Sequence, residues 1–326
     1  MRMELLDTLR CPRTHKRLRL ENALEKDGRI ESGSLTTEDG ALYPIERGIP
    51  RFVPRDNYAS SFGYQWNKFR TTQLDSHTGV PISRDRFYKS TEWSAEGLKG
   101  KSVLEVGCGA GRFTEILLST GAAVVALDYS SAVDACWTNH CLHPNLSVVQ
   151  GDIYNLPFCP ATFDYVLCLG VLQHLPDVKR AFMSLVPQLK SGGRLAVDVY
   201  RKWLGTVFWS KYWVRPFTRR IEPHRLFERV QKWVPVLLPM STILGRIPVA
   251  GRKLRYLLPV ANYDGVFPLT DAQIREWAIL DTFDMLSPRY DQPQTAATLR
   301  SWLEEAGMTD IKVFRPAHLV GQGRKA

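Results

Sequence analysis

Cysteine is scarce and scattered: six residues, at 11, 108, 136, 141, 159 and 168, in a chain of 326, with none between residues 12 and 107. Such spacing excludes a disulfide framework and reads as reduced thiols in a reducing compartment. No uninterrupted apolar run approaches the ~20 residues needed to span a bilayer. The opening stretch, MRMELLDTLRCPRTHKRLRL, puts acids and arginines where a secretion signal needs an apolar centre. The expectation is a cytoplasmic protein. Acids are nearly missing from one stretch. Between Arg201 and Arg255 stand thirteen Lys and Arg against Glu222 and Glu228, while the rest of the chain has 30 Lys and Arg against 31 Asp and Glu. The net charge of +10 therefore belongs to one segment, and any attraction to a polyanion or an anionic membrane must be argued there.

What the sequence does have is alternation. From 101 to 200, KSVLEVG, AAVVALD, LSVVQGD, FDYVLCLG and RLAVDVY read as strands. GRFTEILLSTG, SSAVDACWTNHC and DVKRAFMSLVPQLKSGG read as helices between them, the last ending at a glycine pair. The strands are near-continuous apolar runs, as strands buried on both faces should be. This pattern predicts an α/β fold: a Rossmann-like, mostly parallel sheet with helices on both faces. Around the core at 101–200 stand a small β-rich segment at 1–56 and an aromatic-rich, helical lead-in at 57–100. A basic aromatic insertion follows the fifth strand at 201–290. At 291–326 a helix stopped by Gly307 and a final strand complete the core.

The stretch VLEVGCGAGRF, residues 103–113, ends a strand in an acid and three glycines. A dinucleotide fingerprint would need glycine at 112, where Arg112 stands. Glu105 would also repel a pyrophosphate. A ligand carrying both an ammonium and a carboxylate fits better: the methionine end of S-adenosylmethionine (SAM). The ammonium would meet Glu105, and the carboxylate the loop N–H groups near a helix N-terminus, at Gly107, Cys108, Gly109 and Gly111. Asp128, with Tyr129 beside it, ends the second strand and is placed for the ribose hydroxyls. Asp152 follows the third strand and can accept from an adenine amino group, with Ile153 against the base. Leu169 and Gly170, after the fourth strand, would complete a pocket at the carboxyl ends of the strands. Each piece taken alone also reads as an ordinary turn or helix cap.

VLEVGCGAGRF, VVALDYS, GDIYNLPF, FDYVLCLGVLQHLPD and LKSGGRLAVDVY together resemble the successive motifs of class I SAM-dependent methyltransferases. They are most similar to the type 11 group, which includes quinone-biosynthesis methyltransferases. The resemblance implies SAM contacts at Glu105, Gly107, Gly109, Gly111, Asp128, Asp152 and Ile153, and says little of the acceptor. LLDTLRCP with ALYPIERGIPRF resembles the zinc-ribbon domain of the activator of tRNA and protein methyltransferases. That ribbon needs two Cys-x-x-Cys pairs for tetrahedral zinc. Here Cys11 is followed by Thr14 at the paired position, and His15 leaves the set short of four. A ribbon without its metal is expected, held by Leu5, Leu6, Leu9, Tyr43, Ile45, Ile49 and Phe52.

Methyl transfer from a sulfonium needs alignment above all, and a base where the acceptor is a hydroxyl or an acidic carbon. LGVLQHL after the fourth strand carries no Asn/Asp-Pro-Pro-aromatic motif, no Asp-Asn pair for magnesium and no Pro-Cys nucleophile. A small-molecule O-, C- or N-methyltransferase remains, its acceptor hydrophobic or lipid-linked, with His174 the candidate base. The alternative for His174 is a helix-start histidine bonded to backbone. In similar methyltransferases the regions before the first strand and after the fifth build the acceptor chamber. By that analogy Tyr64, Trp66, Tyr263 and Tyr290 face it. RKWLGTVFWSKYWVRPFTRR sets Trp203, Phe208, Trp209, Tyr212, Trp213 and Phe217 among cations. The segment 201–255 suits a lid, a peripheral membrane contact or an RNA cradle. The adopted reading takes the first two and sets nucleic acid aside; an RNA methyltransferase using this basic aromatic insertion is the alternative. The rival from another class is a non-catalytic scaffold of the same fold.

Overall fold

The computed structural model describes residues 1–54, 57–202 and 209–326. After a helix at Met3–Thr8, the strands β1 (Arg19–Lys26), β2 (Arg29–Thr36), β3 (Leu42–Glu46) and β4 (Ile49–Pro50) form an antiparallel sheet in sequence order. Leu5, Leu9, Ile45, Ile49 and Phe52 are buried, and the Tyr43 and Phe52 rings lie 4.9 Å apart. Cys11 Sγ sits 3.3 Å from the Tyr43 hydroxyl. Among the described residues, no group of three or more His, Cys, Asp or Glu is placed to hold a metal ion.

A second sheet has seven strands: β5 (Ser102–Val106), β6 (Ala123–Asp128), β7 (Leu146–Gln150), β8 (Phe163–Cys168), β9 (Leu189–Val199), β10 (Met308–Phe314) and β11 (Leu319–Lys325). Their order is β10-β11-β9-β8-β5-β6-β7, with β5 to β9 parallel and β11 antiparallel to both its neighbours. Alternate residues of the central strands feed two cores. Val103 and Val124 meet Leu117 and Cys136 of the helices Arg112–Ser119 and Ala132–His140. Leu104, Val166 and Val197 meet Phe182 and Leu299 of the helices Val178–Leu185 and Ala296–Glu305. The chain runs outward from β5 through β6 to β7, then returns to build β8 and β9 on the other side. That reversal opens a crevice at the carboxyl ends of β5 and β8, where open α/β sheets bind ligands. The edge at β7 is covered: Arg51 forms a parallel bridge with Gln150, and Phe52 N–H donates to the Gln150 carbonyl at 2.8 Å.

Two sequence expectations change. The helix expected to reach the glycine pair stops at Leu185, and Pro187 in the following 3₁₀ turn cannot extend it. The glycine pair lies inside β9 instead, Gly192 at φ +74° where the pairing with β8 shifts register. The chain closes on two strands rather than one, because β11 inserts between β9 and β10. Elsewhere, the prolines at 235 and 239 lie inside one continuous helix, Pro223–Gly245. Spaced four apart, they remove hydrogen bonds from one side only.

That helix joins Ser210–Thr218, Gly251–Leu254, Asp271–Leu286 and the earlier Ser60–Lys68 in a helical cap. Its own core contains Phe69, Phe227, Val230, Val234, Phe283 and Leu286.

Candidate active site

A cavity of about 1090 Å³ lies at the crevice, lined on one side by strand ends and on the other by the cap. It is large enough for a cofactor and an acceptor together. The floor is the loop after β5. Gly107 has φ +80°, and a Cβ there would stand 2.1 Å from Val171 Cγ2. Gly109, at φ +54°, is covered by the Trp66 indole, 3.2 Å from where a Cβ would be. Gly111, at φ +90°, is the N-cap of the helix Arg112–Ser119 and packs on His140. All three positions demand glycine by conformation, by space or by both.

Asp128 ties this loop to β6. Its Oδ2 accepts from Gly109 N–H at 3.0 Å, and its Oδ1 from Ser130 N–H at 2.8 Å and from Ser130 Oγ at 2.7 Å. Burial pushes its pKa up despite those bonds. Of the expected cofactor residues, Gly107, Cys108, Gly109, Asp128, Tyr129, Ile153, Leu169 and Gly170 line the cavity.

Glu105, Gly111 and Asp152 do not line it. The Glu105 side chain turns to the helix face of the sheet, where Oε2 accepts from Thr114 Oγ1 at 2.5 Å, and burial raises its pKa to about 8. The alternation of β5 that buries Val103 on that face carries Glu105 there too. Asp152 caps the short turn Ile153–Asn155, accepting from Tyr154 N–H at 2.9 Å.

His174 lines the cavity while buried between Phe62 and Tyr200, with centroids at 5.2 and 5.5 Å. Its Nδ1 lies 3.2 Å from the Tyr290 carbonyl. A carbonyl only accepts, so Nδ1 carries the proton and Nε2 keeps a lone pair. Burial lowers the imidazole pKa, which favours the neutral ring. The two sequence alternatives for His174, backbone-bonded or facing the site, thus hold together.

The four expected acceptor-side aromatics separate. Trp66 and Tyr263 line the cavity, whereas Tyr64 and Tyr290 do not. Tyr64 packs on Phe227 and Phe283 in the cap core, at 5.6 and 6.2 Å. Tyr290 serves through its carbonyl, its ring set edge-on to Tyr58, which in turn stacks on Tyr129. Tyr263 donates its hydroxyl to Asp281, whose pKa burial and the neighbouring Asp284 raise to about 6.

Sequence reasoning missed several groups. Arg86 pairs with the buried Asp198 at 2.9 Å and lies over the Phe113 ring. Arg112, noted only as the residue that breaks a dinucleotide fingerprint, bonds Gln73 at 2.6 Å, and burial lowers its pKa to about 9. Lys211 meets Asp291 at 2.9 Å among the rings of Tyr200, Trp209 and Tyr212. Asp291 Oδ1 is buried without a hydrogen-bond partner. Arg215 donates to the Met285 and Pro288 carbonyls. Part of the basic segment is therefore internal, and Trp209 faces the cavity while Trp213 and Phe217 are exposed. Trp203 and Phe208 lie outside the described residues.

The glycine cradle under the strand ends, with an acid closing β6, is a site whose chemistry fits SAM. Residues 104–197 match the family described as "Methyltransferase domain". The chain is similar to the ubiquinone biosynthesis O-methyltransferase of Coxiella burnetii, 32% identical over 121 residues that make up 35% of this chain and 52% of that protein. It is also similar to the enzyme of the same name from Xylella fastidiosa, 29% identical over 53% of this chain and 71% of the relative. The match thus spans about half the length of the first of these curated relatives. A solved putative SAM-dependent methyltransferase from Methanococcus maripaludis aligns over 84% of this chain and 96% of its own, at 14% identity and a TM-score of 0.45. At that score it adds nothing to the assignment.

Proposed function

We propose that the chain transfers a methyl group from SAM to a small-molecule acceptor, with His174 as the base. One observation carries this reading: His174, its Nδ1 held by the Tyr290 carbonyl, lines the same cavity as Gly107, Gly109 and Asp128. Asp128, Tyr129 and Ile153 would hold the ribose and base, and the glycine loop the amino-acid end. SAM supplies an electrophilic methyl on a sulfonium. His174 takes the acceptor's proton at Nε2, and the Tyr290 carbonyl holds the ring in the tautomer that can do so. The similarity to O-methyltransferases supports oxygen as the methylated atom.

The finer parts of the proposal are a hydrophobic or lipid-linked acceptor and a cytoplasmic protein touching membrane through the segment 201–255. Supporting them are the apolar and cationic side chains of that segment. Among the described residues, no helix is long and apolar enough to cross a membrane. The test is transfer from SAM labelled in its methyl group, with a lysate of the source cell split into organic and aqueous phases. Label in the organic phase is expected. Label only in the aqueous phase overturns the hydrophobic acceptor, and label in neither overturns methyl transfer.

A further inference from the structure

Among the described residues, ten of the fourteen exposed large hydrophobic side chains fall between Trp213 and Val266. Val236, Met240, Ile243 and Ile247 recur at helical spacing along the end of the helix Pro223–Gly245 and just past it. Ile243 is 66% exposed, and Val249 beyond it is fully so. The same stripe, followed back toward the start of the helix, carries the exposed Arg225, Arg229 and Lys232. One outward face is thus cationic in its first half and aliphatic in its second.

The aliphatic end adjoins the mouth of the cavity. Tyr256 and Val266 are 44% and 49% exposed and also line the cavity, so they stand at its rim. An ion pair from Arg246 to Asp264, at 3.7 Å, ties the helix end to the loop that carries Val266.

We propose that this face seats on an anionic lipid bilayer, the aliphatic end among the acyl chains and the cations at the headgroups, with the cavity mouth against the membrane. The inference rests on the membrane contact proposed above and gives it a particular face. Of the described aromatic residues that first suggested membrane, Trp209 and Tyr212 line the cavity. Charge decides between occupants. A second copy packed face to face in twofold symmetry would set the cations against cations or against aliphatic side chains, whereas an anionic surface neutralises them. Aliphatic tips also offer no ring face on which nucleic-acid bases could stack.

The test is flotation of the full chain with vesicles of phosphatidylcholine alone or mixed with phosphatidylglycerol, with SAM affinity, melting temperature and sedimentation velocity measured on the same samples. The native chain should float with the mixed vesicles, and high salt or phosphatidylcholine alone should weaken binding roughly tenfold or more. Arg229→Glu with Lys232→Glu should weaken it on the order of a hundredfold. Ile243→Asp with Ile247→Asp should weaken it roughly tenfold. Both pairs should keep the native melting temperature and SAM affinity. A native chain that binds SAM but ignores mixed vesicles overturns the docking face and leaves the methyltransferase reading intact. Variants that float like the native chain overturn it too, as does a dimer that the aspartates dissolve without any vesicle binding. Failure to bind SAM while floating normally would sink the methyltransferase reading alone.

Discussion

The two walls of the cavity are made differently. The wall beneath the cap rests on main chain: Gly107 and Gly109, both at positive φ, clasped to the next strand by Asp128. The opposite wall is side chains brought together from separate stretches, such as Lys211 with Asp291 and Tyr263 with Asp281. A wall of main chain fixes one shape and admits almost no substitution. A wall of side chains can be re-cut residue by residue without moving the strands. The first suits a ligand common to many reactions, and the second suits whatever acceptor distinguishes this chain.

Three substitutions would break or sharpen that contrast. His174→Gln should lower kcat by roughly 10²- to 10⁴-fold and leave SAM affinity unchanged, as measured by steady-state rates and calorimetric titration. In the native enzyme the rate should fall on the acid side, at a pH below the ordinary imidazole value of 6.5, because burial favours the neutral ring. That limb should vanish in the variant. Gly107→Ala acts on the other wall. A Cβ 2.1 Å from Val171, at φ +80°, should weaken SAM binding on the order of a hundredfold. Unchanged affinity there would mean that the loop is not the cradle.

Glu105→Gln gives the smallest effect and tests the residue that left the site. The folded state holds Glu105 protonated up to about pH 8 against an ordinary 4.5. Between those values it binds a proton that the unfolded chain has released, so stability falls as pH rises through that window. The slope is at most about 1.4 kcal/mol per pH unit, and the glutamine variant should flatten it in melting curves taken from pH 5 to about 8. A slope unchanged by the variant would place its origin elsewhere.

The cofactor wall was legible because its parts are local. A strand, a turn that only glycine can make and an acid at the next strand end all show within thirty residues. Glu105 was expected in the cavity because a sequence shows that a side chain stands near a strand end, not which face it takes; its alternation with Val103 sets that face, where Thr114 meets it. The early start of β9 was hidden by a helical pattern that runs on past Pro187. Lys211 and Asp291 leave no pattern at all: eighty residues part them, and each alone reads as a solvated charge. Tyr290 was chosen for its ring, and what it brings to His174 is its backbone.

Arg51 and Phe52 lean on Gln150, and Leu9 forms a bridge with Phe158. The small sheet therefore rests on chain that leaves the ribosome about a hundred residues or more after it. Until Phe158 has been made, residues 1–52 have no seat, and until they are seated β7 offers an open edge to any passing strand. Assembly of this chain must close a long loop before its earliest residues can settle, which makes the small sheet a late lock on the large one.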